Sequence, residues 1–113
     1  MAYDEKLAVR IREILEGEIG VTEKKMFGGL AFLLNGKMFV GIQKDELMAR
    51  VGAEQHNKAV SQKHARPMDF TGKPMMGFIY VKPAGFKTKA SLKKWVKWSE
   101  NFVKDLPKKK KKN

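Results

Sequence analysis

His64, Arg66 and Asp69 fall within six positions of one another in "HARPMDFTGKP", residues 64–74, a stretch that Gly72 and Pro74 then interrupt. An imidazole, a guanidinium and a carboxylate this close could take a proton, clamp an anion and orient a base. Ser61, three residues upstream, would supply a nucleophilic hydroxyl. Such a serine needs a sharp strand-to-helix turn to expose it, and Ser61 follows only a short helical pattern. Metal binding needs three or four ligands. His56 and His64 are eight apart, and neither has a neighbouring His or carboxylate at ligand spacing. The economical reading is architectural. Pro67 restricts Arg66 to extended backbone. Asp69 can accept from the N–H of residue 71 or 72, with Gly72 taking a positive φ. Arg66 can then pair with Asp69 or with loop carbonyls. On this reading His64, Arg66, Asp69 and Gly72 brace a loop that crosses the sheet, and an anion or partner contact at Arg66 is the alternative. No catalytic residue, metal or cofactor is expected. "MFGGLAF" is not a phosphate loop either, because no Lys-Ser/Thr pair or helix follows Gly28-Gly29.

The elements that must position these residues are legible around them. Leu7, Ile11, Ile14 and Leu15 repeat at helical spacing over residues 4–16, with Asp4 as N-cap and Gly17 as stop. Two apolar runs, Leu30 to Leu34 and Met38 to Ile42, flank Asn35-Gly36, the dipeptide that suits a tight hairpin turn. Residues 24–27 form a short strand before them. Residues 46–51 form one after, with Leu47, Ala49 and Val51 opposing Glu46, Met48 and Arg50. A short helix is expected over 53–61, a loop over 62–76, and a fifth strand at "GFIYV", 77–81, apolar on both faces. Thr88 or Ser91 caps the last helix. Its stripe is Leu92, Trp95, Val96, Ser99, Val103 and Leu106, and Pro107 stops it. The order α-β-β-β-β-α-β-α places strands in a run, which predicts an α+β domain over residues 1–107: an antiparallel five-stranded sheet with helices packed on it.

The chain has 113 residues, no cysteine and a net charge of +12. Residues 1–81 carry 12 Lys+Arg against 10 Asp+Glu, whereas residues 82–113 carry 12 Lys against Glu100 and Asp105, so +10 of the excess lies in the last segment. Such an asymmetry suits a polyanion. The candidate contacts are Lys93, Lys94, Lys97 and Lys104 on the last helix, and Lys108, Lys109, Lys110, Lys111 and Lys112 in a tail, 108–113, expected to be disordered. Trp98, at the edge of the apolar stripe, is the candidate stacking aromatic. Without arginine, a lysine run lacks bidentate phosphate contacts and otherwise serves as solubilising charge. No secretory signal or membrane-length apolar run is visible, so a cytoplasmic protein without membrane contact is expected.

"VTEKKMFGGLAFLLNGKMFVGI", "LMARVG", "HARPMDFTGKPMMGFIYV" and "LKKWVKW…FVKDLP" resemble the TfoX N-terminal domain family, from about residue 3 to residue 107. The separation of "KKMFGG" from "ARPMDFTG" carries the resemblance. It implies a single α+β domain of the secretion-chaperone-like kind, related to the N-terminal half of the TfoX/Sxy regulators of natural competence. In those regulators a second domain follows and the pair acts in transcriptional control. Here a lysine run stands about where that domain would begin. The family brings no accepted catalytic residues. The expected function is that of a non-catalytic binding or regulatory module, with a protein partner or a second copy as its target and no small-molecule substrate. Weak, non-specific nucleic-acid binding through the basic C-terminus is the alternative. An enzyme built on the 64–72 segment is the least favoured reading.

Overall fold

The computed structural model describes residues 3–26, 28–70 and 73–105, without the side chains of residues 69–70 and 73–76. Helix α1, Glu5–Ile14, starts where Asp4 Oδ1 accepts from the N–H groups of Lys6 at 2.9 Å and Leu7 at 3.3 Å. Strands β1, Val21–Met26, β2, Gly29–Leu34, β3, Lys37–Gln43, and β4, Glu46–Arg50, pair in succession as antiparallel neighbours. The turn between β2 and β3 has φ of 52° at Asn35 and 84° at Gly36, the two positive values its sequence predicts. A 3-10 turn at Ala53–Gln55 leads into α2, His56–Val60.

The segment expected as a loop over 62–76 is instead mostly strand. β5, Ala65–Phe70, pairs with β6, Lys73–Val81, so the sheet has six strands rather than five, in the order β1-β2-β3-β4-β6-β5. The reason is positional. β5 is an edge strand, where Pro67 needs no ladder donor on its outer side, and the register shifts between Pro67 and Asp69. Helix α3, Lys89–Lys104, begins with a reciprocal box. Thr88 Oγ1 accepts from Ser91 N–H at 3.0 Å, and Ser91 Oγ accepts from Thr88 N–H at 3.1 Å. Leu106 and Pro107, expected to finish the stripe and stop the helix, lie outside the described residues.

All helices contribute to one core. Leu7, Ala8 and Ile11 of α1, Ala59 of α2, and Leu92, Trp95, Val96 and Val103 of α3 pack on Leu30, Phe32, Val40, Ile42, Leu47, Ala49, Ile79 and Val81 of the sheet. The other sheet face gathers a smaller cluster of Met48, Met68 and Tyr80, with Met38 and Phe78 against it, drawn from strands alone. The apolar character of "GFIYV" on both faces follows: Ile79 and Val81 belong to the first cluster, Phe78 and Tyr80 to the second.

Candidate functional site

The second sheet face is built by cross-strand register. Met48 of β4 stands opposite Tyr80 of β6, and Tyr80 opposite Arg66 of β5. Arg66 Nη2 meets Glu46 Oε1 at 2.7 Å, and its guanidinium lies 4.6 Å from the Tyr80 ring centre. Burial pushes the Tyr80 phenol above its usual range, against the pull of the nearby Arg66 charge. Arg50, one row along, sits over Phe78 at 5.5 Å and Phe102 at 5.4 Å, and its Nη1 donates to the Met38 carbonyl at 3.2 Å. Burial lowers its pKa from the usual arginine value. Among the described residues the face therefore has a soft centre of methionine, tyrosine and phenylalanine, framed by Arg50, Arg66 and Glu46.

The residues that looked like a reaction centre are distributed along the β5 edge. His64 precedes the strand with φ of 72°, is exposed, and uses its carbonyl to accept the Lys82 N–H at 2.9 Å. Arg66 turns to Glu46 on β4, twenty residues away. Asp69 is placed by its backbone opposite Pro74; its side chain, and all of Gly72, lie outside the described residues. Ser61 Oγ donates to the Lys58 carbonyl at 2.7 Å, closing the last turn of its own helix.

The helix lysines divide into two groups. Lys97 Nζ lies 3.1 Å from Glu100 Oε1 and 3.4 Å from Glu18 Oε2, and Lys104 Nζ lies 3.3 Å from Glu100 Oε2. Their charge is met within the molecule. Lys93 and Lys94 are exposed, with Lys94 Nζ 3.3 Å from Gln62 Oε1 and 4.8 Å over the Trp95 ring. Lys108 to Lys112 lie outside the described residues. Trp95 is buried, and half-buried Trp98 stacks on it with ring centres 5.3 Å apart and planes 12° from parallel. Trp98 lines a groove of about 430 Å³ with Val51, Glu54, Gln55, Asn101, Phe102 and Asp105.

Two polar residues matter more than the sequence suggests. Glu100 pairs with Lys104 at i,i+4, yet it is only 1% exposed. Burial works to raise its pKa, and the lysine ammonium groups outweigh burial, leaving the carboxyl below its usual range. His56 is 6% exposed, and its Nδ1 accepts the Gly77 N–H at 2.9 Å, tying α2 to β6. A histidine in a short polar helix gives no sequence signal for this bond, which joins residues 21 apart. Among the described residues no group of three His, Cys, Asp or Glu side chains is placed to hold a metal ion, and no helix is long and apolar enough to cross a membrane.

Compared with known proteins, residues 13–103 match the family model described as TfoX N-terminal domain. Neither the curated proteins nor the solved structures compared with the chain contain a match.

Proposed function

Because the chain belongs to the TfoX N-terminal domain family, we propose that it is a regulatory binding module that acts by contact and not by catalysis. Its contact surface is the sheet face opposite the helices. One observation carries this reading: among the described residues, Met38, Met48, Met68, Phe78 and Tyr80 form an apolar cluster to which no helix contributes. Methionine-rich faces adapt to a partner's shape at little rotamer cost. The edges are poorer contact sites, since β1 carries Lys24 and Lys25 and β5 carries Pro67. The rim of the face holds both signs of charge, Glu46 and Arg66, as a self-complementary surface requires. A second copy is therefore the partner to test. Sedimentation velocity from micromolar concentration to about 1 mM is expected to show reversible association. A Met38→Gln, Phe78→Gln variant that keeps its circular dichroism should sediment as a monomer. A wild-type protein that stays monomeric throughout, or a variant that associates as well as wild type, refutes the self-association reading.

A separate observation supports nucleic acid as a second reading. From Lys82 to Lys97 there are six lysines and no acid, and Lys82, Lys87, Lys89, Lys93 and Lys94 are exposed. Duplex DNA binding would weaken with salt by roughly 0.9 in log K per phosphate neutralised, for each unit of log salt. Deleting residues 108–113 should then weaken binding and flatten that slope. An unchanged isotherm would leave the lysine run as solvated charge.

A further inference from the structure

The groove beside Trp98 combines features at odds with the rest of this basic chain. Its floor is apolar, made by buried Val51 and half-buried Trp98 and Phe102. Its rim carries two exposed carboxylates, Glu54 and Asp105, and two exposed amides, Gln55 and Asn101. Among the described residues no lysine or arginine lines it, in a chain of net charge +12. Nearby cations already have partners: Lys104 is paired with Glu100 at 3.3 Å, and Arg50 lies between Phe78 and the groove residue Phe102. The groove also sits at the C-terminal end of α3, where Asn101, Phe102 and Asp105 occupy the last turn and its cap. The helix dipole is negative there, which adds to the two carboxylates. Aromatic faces, carboxylates and a helix C-terminus favour one ligand chemistry, a desolvated ammonium on an apolar stem.

We infer that this groove is a receptor for a lysine side chain presented by a peptide segment of a protein partner. The aliphatic stem lies on Trp98, Phe102 and Val51, and the ammonium faces Glu54 and Asp105. None of the sheet-face cluster is among the groove's described lining residues, although Arg50 touches Phe78 of the one and Phe102 of the other.

The test is a titration of the ¹⁵N-labelled full chain with a pentalysine peptide, followed by the Trp98 indole and the Glu54, Asn101 and Asp105 amides. These resonances should shift together and saturate with a Kd of about 1 mM, to which the buried aliphatic stem, one cation–aromatic contact and two exposed ion pairs contribute. A Glu54→Gln, Asp105→Asn variant with unchanged thermal stability should bind about tenfold more weakly. An arm with Lys108 to Lys112 replaced by serine should give the same affinity. The proposal fails if groove resonances stay fixed, or if the neutralised variant titrates like wild type. It also fails if the serine arm binds markedly tighter, because that result assigns the groove to the chain's own lysines.

Discussion

Replacing Gly77 with alanine is expected to destabilise the fold by about 3–5 kcal/mol, the sum of a left-handed backbone penalty and a clash that cannot relax. Gly77 has φ of 90°, and a Cβ there would lie 2.8 Å from the Gly52 carbonyl carbon and 3.0 Å from the Ala53 nitrogen. Both are backbone atoms, so no side chain can swing aside. The same peptide is a junction. Its carbonyl accepts from Val51 at 2.7 Å and Gly52 at 3.2 Å, and its N–H reaches His56 Nδ1. Any shift that relieves the clash loosens three buried hydrogen bonds. Urea unfolding should show the loss with the denaturant slope nearly unchanged, and thermal unfolding a fall of about 10–20 °C. Gly36→Ala supplies the control: φ there is 84°, but nothing lies within 4 Å of the added Cβ. If Gly77→Ala is no worse than Gly36→Ala, the crossing of the chain at Gly52 and Gly77 is not tight.

The second large effect is expected at Glu100. Its carboxylate is 1% exposed and joins Lys97, Lys104 and, through Lys97, Glu18. Glu100→Ala removes the shared partner and leaves a small void against α3, at about 2–3 kcal/mol. The loss stays below that of a fully buried pair because Lys97 and Lys104, 39% and 53% exposed, can return to water. The pH dependence has a definite sign. A carboxyl whose folded pKa is lowered binds fewer protons folded than unfolded as pH falls through the carboxylate range. Its stabilisation is present at neutral pH and is lost on acidification, as the pH falls below the ordinary carboxylate range and through the lowered folded pKa. Glu23, lowered chiefly by its hydrogen bond from Arg12, adds to the same trend with a smaller, solvent-screened share. Glu100→Gln should therefore flatten the acid limb of a stability–pH curve. A variant with the full wild-type slope would place the acid sensitivity elsewhere.

Most of the architecture is written in local chemistry. Asp4, Asn35-Gly36 and Thr88 each satisfy a backbone need at one point, and each acts where its residue type indicates. The alternation of Leu47, Met48 and Ala49 divides the two sheet faces correctly, for the same reason. The β5 strand was hidden because Pro67, Gly72 and Pro74 are loop-forming residues by propensity. Edge position decides otherwise, since an edge strand needs ladder bonds on one side only. Partner choice was the least legible level. Arg66 meets Glu46, twenty residues away in the chain, because pairing through β6 sets β5 near β4. Glu100 reads as a solvated acid on a lysine face until α3 is seated with Glu18 across from it. Such contacts depend on sheet order, which no short window of sequence encodes.

The sheet face opposite the helices is the proposed contact surface. Methionine-methyl NMR as a function of protein concentration tests this most directly, because Met38, Met48 and Met68 report from that face. The account predicts that these three methyl resonances move together with dilution, while resonances of the Leu7, Ile11 and Leu92 core stay fixed. Concentration-independent methyls at Met38, Met48 and Met68, or shifts confined to β1 or α1, would contradict it.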